Sequence, residues 1–315
     1  MKTLLFIASI AVLFTACTKD DSYDNCKDND KVSISALMAG LAPNSRTTDD
    51  GTNANWVTND SIGLFCTQSN PVANNLKYTY SGSSWSTVTP IFWKDYTTLH
   101  QFYAYAPYAG GNTLTAVKIP VLNTQTGTIN PTHNVLYSNN QRAGINRPAN
   151  NGSVPLTFKH VLALIQLNIK IDGTVPANTT LTSVTINGQA GEGLTTSATG
   201  ATFSLSDSTY TANGATNNLI TVQPSSAPTL STSTATTLNI LVFPIATTTP
   251  TLTINCTFQN STTGSASISL GSNLTFTRST KYIYTVTLSR NAIVITNVTI
   301  NPWLPGGSST INPIL

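Results

Sequence analysis

The sequence predicts an all-β chain folded as antiparallel β-sandwich units, two of them in tandem. Three observations lead there. Charged residues make up only 9% of the 315 positions, against roughly 25% in an ordinary soluble domain, and Glu192 is the single glutamate. Threonine supplies about one residue in six. β-Branched Thr, Val and Ile lose rotamer freedom in a helix and suit a pleated strand. The third observation is period-two alternation of apolar and polar residues, broken by Asp172-Gly173, Asn187-Gly188, Asn213-Gly214 and Gly110-Gly111. Such pairs supply the positive φ angles of tight turns, and short strands so punctuated indicate sandwiches.

The first sixteen residues read as an address. Met1-Lys2 is a short positive start, and Leu4 to Phe14 is an apolar run too short to span a bilayer. Leu13-Phe14-Thr15-Ala16-Cys17 resembles a bacterial lipobox, in which the cysteine is lipidated and becomes the mature N-terminus. Several acyl chains on one residue anchor stably to a membrane. Residues 17–30 form a polar tether holding five of the eleven aspartates. Its acidic start resembles the surface-export signal of Bacteroidetes lipoproteins.

From Lys31 the chain reads as strands. Val32-Ser33-Ile34-Ser35-Ala36 alternates, as do residues 238–243, 252–258, 266–270 and 282–288. Leu162 to Ile171 is longer and more apolar, as a central strand would be. Gln141 to Ser153 is polar and rich in Gly, Pro and Asn. The division between units is therefore expected near there, giving units at 31–150 and 151–315. The first unit carries three of the four Trp.

Composition excludes several functions. A net charge of +3 spread over ten Lys and five Arg makes no basic stripe, so no nucleic acid is expected as a partner. Of the four cysteines, Cys17 has the lipid role and Cys26 lies in the tether, while Cys66 and Cys256 sit in apolar strands as free thiols. There is no CxxC and no HExxH, so neither a metal nor another cofactor is expected. His100, His133 and His160 stand apart from one another in sequence, and His160 reads as a structural histidine. The few carboxylates beyond the tether lie mostly in turn contexts, and no GxSxG elbow occurs. The chain is therefore not expected to be an enzyme. The aromatic runs at Trp85, Phe92-Trp93 and Phe102 to Tyr108 read as core, with a sugar-stacking platform as the alternative.

An ordered set of motifs resembles the Bacteroidetes fimbrillin family, the type V pilins of the FimA/Mfa-like group. Ser45-Arg46-Thr47-Thr48, then Trp56 and Asp60-Ser61-Ile62-Gly63-Leu64-Phe65, is similar to its opening. Tyr103-Ala104-Tyr105-Ala106-Pro107-Tyr108 resembles its aromatic strand. Leu156-Thr157-Phe158-Lys159-His160-Val161-Leu162-Ala163 resembles its "L-x-F-x-H-x-x-A" strand, and Val298 to Trp303 its closing strand. The resemblance implies two transthyretin-like β-sandwich domains and a lipid-anchored precursor on the outer membrane, at the cell surface, which joins a fimbrium when mature. It implies a trypsin-like maturation protease cutting after Arg46, and other fimbrial subunits as partners through donor-strand pairing. The strand displaced would be Val32 to Leu41, seated by Val32, Ile34, Ala36 and Leu37. A host or bacterial glycan or protein would be the adhesion ligand. Only twelve residues follow Trp303, which leaves stalk, tip and anchor positions open. The alternative is a surface glycan-binding lipoprotein that does not polymerise.

Overall fold

A computed structural model describes residues 30–38, 56–148, 152–189, 193–196, 201–212, 216–247, 249–290 and 293–303. They form β-strands and turns, with no α-helix among them. In chain order the strands begin with β1 (Ile34–Met38), β2 (Ser61–Cys66), β3 (Ala73–Tyr80), β4 (Trp85–Ser86) and β5 (His100–Ala106). Two short strands follow, β6 (Val117–Lys118) and β7 (Thr124–Gln125), then β8 (Leu136–Ile145), β9 (Val154–His160), β10 (Ala163–Ile171) and β11 (Thr180–Asn187). The remainder are β12 (Thr195–Thr196), β13 (Ala201–Phe203), β14 (Tyr210–Ala212), β15 (Thr216–Asn217), β16 (Leu219–Val222) and β17 (Thr236–Val242). Last come β18 (Ala246–Thr247), β19 (Thr251–Thr257), β20 (Thr263–Ser269), β21 (Leu274–Thr275), β22 (Thr280–Leu288) and β23 (Ile293–Pro302).

The first sheet has seven strands in the order β1-β9-β8-β5-β2-β3-β4. A four-stranded sheet, β17-β10-β22-β23, faces a five-stranded one, β20-β19-β11-β16-β7. Alternation along each strand decides which core a side chain joins. On β5, Phe102, Ala104 and Ala106 face a core shared with Trp56, Ile62, Leu156 and Phe158. Tyr103 and Tyr105, in the opposite phase, join a second core with Phe203, Leu241, Phe243 and Trp303. The third core, between the four- and five-stranded sheets, is filled by Ile165, Leu167, Ile240, Ile254 and Tyr284, each 1% exposed or less. β10 is central, as its apolar run predicts, and lies between β17 and β22.

Three findings differ from the sequence expectation. Not every pairing is antiparallel: β1 with β9, β10 with β22, and β16 with β7 run parallel. The expected division at 150/151 falls between β8 and β9, which pair in one sheet. The polar stretch there carries the end of β8 and leads on to β9. The chain passes to the next sheet at Val161-Leu162, both fully buried. A buried apolar link has no linker composition, which is why the sequence does not mark it. Third, the connection from β5 to β8 crosses over. β6 pairs with β13, β7 pairs with β16, and the Gln125 carboxamide donates to Leu241 O (2.8 Å) and accepts from Leu241 N (2.9 Å). The amide side chain thus stands in for a strand at the edge of β17, where unpaired ladder groups would otherwise remain.

Gly63, in the motif opening, has a steric reason. A Cβ there would lie 2.2 Å from Tyr105 Cε1 and 2.5 Å from Asn75 Oδ1. The Tyr105 hydroxyl donates to Asn75 Oδ1 (2.8 Å) or Ala109 O (2.7 Å) and accepts from Ala109 N (3.1 Å), so the ring has nowhere to move. Gly63→Ala is expected to cost about 1–3 kcal/mol by overpacking, read as a lower urea midpoint at unchanged slope.

Candidate functional site

The first strand is the candidate site. β1 is the outer strand of the seven-stranded sheet and lies parallel to β9, from Ile34↔Val154 to Met38↔Phe158. Its period-two pattern puts Val32, Ile34 and Met38 inward, and all three are buried. They meet Trp56, Ile62, Leu64, Phe102, Leu156 and Phe158. Ala36 shares that phase and packs against the same core while half-buried. Leu37, expected among the seated residues, falls in the other phase and is half-buried. Met38 occupies the inward place that the sequence reading gave to Leu37.

Both ends of the strand are pinned. At its start Val32 N donates to Ile91 O (2.9 Å), Val154 N donates to Ser33 O (2.8 Å), and Trp93 N donates to Asp30 O (2.9 Å). Asp30 also forms an ion pair with Arg147, whose guanidinium lies 4.6 Å over the Tyr96 ring. At the far end the Trp56 indole N–H donates to Ala36 O (3.1 Å). Trp56 is edge-on to Trp85 (5.0 Å) and Phe158 (5.1 Å). Apolar burial dominates the hold. Each large inward side chain contributes about 1.5–3 kcal/mol, whereas each ladder bond adds about 0.5–1.5 net. The Asp30–Arg147 ion pair is largely buried, with side chains 32% and 9% exposed, so its desolvation offsets much of its Coulomb gain. Without β1, Leu156 and Phe158 and the backbone edge of β9 would face water.

Cys17 and Arg46 lie outside the described residues. Met38 and Trp56 are the described residues that flank 39–55, and Arg46 belongs to that connection. Two motif residues gain a role the sequence did not reveal. Phe158 and His160, two apart on β9, join different cores: Phe158 lies under Trp56, while the His160 ring stacks on Trp303 at 3.5 Å and 2°. The "L-x-F-x-H" strand thus ties the N-terminal groove to the last described residue.

Burial and local hydrogen bonds set the state of the described histidines and of three aspartates. His100 is buried, with Nδ1 2.8 Å from Thr98 O and Nε2 accepting from Lys94 N at 3.0 Å; burial lowers its pKa. Burial likewise lowers His133, and lowers His160 to about 3. His160 Nδ1 lies 2.9 Å from Asn134 Oδ1. Asp95, Asp172 and Asp207 each accept hydrogen bonds from threonines two or three residues on, which hold their carboxyls below the ordinary range. Among the described residues no three of His, Cys, Asp and Glu group as metal ligands. Cys66 and Cys256 are free and buried, and desolvation pushes the Cys256 thiol up to about 11. The expected core reading holds for Trp93, Phe102, Tyr103 and Tyr105, all buried.

A Bacteroides ovatus protein named as a fimbrium tip subunit, Fim1C, is 29% identical over 114 residues, which is 33% of this chain and 21% of that protein. The match thus spans about a fifth of that relative's length. A solved fimbrial protein of Bacteroides vulgatus superposes with a TM-score of 0.60 at 17% identity, covering 87% of this chain and 100% of that one. A solved structure described as a cell adhesion protein of Bacteroides uniformis gives 0.58 at 20% identity, covering 88% and 99%. Both likenesses are of fold. The sequence profile of the fimbrillin-like family matches residues 45–303, and the chain belongs to that family.

Proposed function

We propose that this chain is a subunit of a cell-surface fimbria. Its first strand is a replaceable plug, and cleavage after Arg46 lets a strand of a neighbouring subunit take its place. The observation that carries the reading is β1 itself. It is an edge strand, held mainly by three inward side chains on an apolar groove, and connected to the rest of the sheet through the stretch that contains Arg46. An open sheet edge above an apolar groove is the socket that strand addition requires. The two units are best taken as 31–160 and 161–303, coupled by the crossing of residues 107–135. The protein's place before assembly is the outer membrane, through lipid on Cys17, and its processing partner is a trypsin-like protease. The sugar-stacking alternative draws no support from the aromatic runs, whose buried members are core.

The test is cleavage and assembly together. An arginine-specific protease should cut first after Arg46 and leave the sheets intact. Only the cut form should then add another subunit's strand, seen as a denaturant-resistant ladder. Arg46→Ala should accumulate as uncut monomer, and Cys17→Ala should leave the membrane fraction. A cut form that never takes up a strand would refute the assembly reading, and an unlipidated wild-type N-terminus would refute the anchor.

A further inference from the structure

The groove beneath β1 does not stop where the strand stops. Beyond Met38 it opens into a cavity of about 470 Å³ walled by Met38, Trp56, Ala106, Ile129 and Leu136. These walls come from the end of β1, the approach to β2, the end of β5, the start of β8 and the crossing connection. The cavity therefore lies at the end of the sheet toward which β1 runs. Its lining is predominantly apolar, with Ser61, Asp60 and Asn134 as the polar members.

The alternation of β1 gives the cavity a meaning. Val32, Ile34, Ala36 and Met38 share the inward phase; the sequence position two beyond Met38 is Gly40, which lies outside the described residues. Glycine has no side chain to offer the cavity. We propose that the cavity is a side-chain subsite of the groove. A strand donated by another subunit, running in the parallel register of β1, fills it with a bulky apolar residue. That residue stands two positions beyond the one that replaces Met38. A strand already seated in the groove supplies the direction and the register, and the apolar walls supply the chemistry. The subsite also gives exchange a direction. A donor with a large side chain at that position buries more apolar surface than a strand with glycine there, so it outcompetes a glycine-bearing strand once the connection is cut.

This inference rests on the donor-strand reading, and its test separates the two. The probes are synthetic peptides of residues 31–41 carrying Gly, Leu or Phe at position 40. They are added to the full chain after cleavage at Arg46, and binding is followed by exchange against a labelled Gly peptide. The Leu and Phe peptides should bind at least about tenfold more tightly than the Gly peptide, as burial of one large apolar side chain requires. Ala106→Leu and Ser61→Leu fill the cavity from two different strands. In either folded variant the ratio of Leu or Phe affinity to Gly affinity should shrink to about threefold or less. Equal affinity of the three peptides refutes the subsite and leaves the groove standing. An advantage that survives both fillers places the added residue elsewhere and also refutes it. If no peptide binds, groove and subsite fall together. Should one filler not fold, the other decides, and the peptide series is decisive without either.

Discussion

Trp56→Ala is expected to destabilise the protein by about 3–5 kcal/mol, the range for removing a large aromatic from a core. The indole is 4% exposed, and it braces Trp85 and Phe158 edge-on while donating to the carbonyl of Ala36. Its loss leaves a void beneath β1 and withdraws a partner from a backbone carbonyl in the strand. The melting temperature should fall by roughly 10 °C for a chain of this size. Trp56→Phe is the milder variant. It keeps a smaller edge-on ring but loses the indole N–H and part of the ring volume, so it should cost about 1–3 kcal/mol. Hydrogen exchange at the amides of β1 and β9 is the discriminating measurement. Both variants should speed exchange there, the alanine variant much more, while β10 and β22 in the neighbouring sheet stay protected. Uniform loss of protection across all sheets would show that Trp56 supports the fold at large and does not specifically hold the first strand.

The strands of the second half are legible because alternation there is long and clean. Residues 236–242, 251–257 and 280–288 each run through seven or more positions of strand. The crossover is not legible for the opposite reason. β6 and β7 are two residues each, too short for any period to show, and their partners lie far away in β13 and β16. The Gly/Pro/Asn-rich stretch lies between two strands that pair in one sheet, whereas the chain leaves that sheet at Val161-Leu162, which is buried and has no linker composition. The candidate site was half legible. Alternation gives Val32, Ile34 and Ala36 their shared phase, and the same alternation excludes Leu37 and selects Met38. Trp56 was visible as a motif residue, yet nothing in the sequence says that its N–H closes on Ala36. That bond joins positions separated by twenty residues, and only the folded sheet brings them together. Gly63 likewise has a motif position in the sequence and a reason only in the structure, where the Tyr105 ring crosses it.

Acid should weaken the protein through His160 before most carboxylates matter. The ring is 2% exposed, stacked on Trp303 and within hydrogen-bond distance of Asn134, and burial lowers its pKa to about 3. An unfolded histidine titrates near 6.5. Above that pH both states are neutral and the group gives no pH dependence. Below it the unfolded chain binds a proton that the folded chain refuses, so stability falls as pH falls and levels off only near the folded value. Between pH 6.5 and 4.5 the loss from this one residue is about 2–3 kcal/mol. His100 and His133, also lowered by burial, act in the same direction. Asp172 and Asp207, held low by threonine hydrogen bonds, add their loss below the ordinary carboxylate range, which is why the window stops at 4.5. His160→Phe keeps a ring against Trp303 and removes the titration. Denaturant unfolding of both proteins at pH 7 and pH 4.5 should therefore show the wild type losing about 2–3 kcal/mol more than the variant. Equal losses would mean that His160 takes up its proton in the folded state. The stack on Trp303, which ties β9 to the chain's last described residue, would then have to tolerate a charged ring.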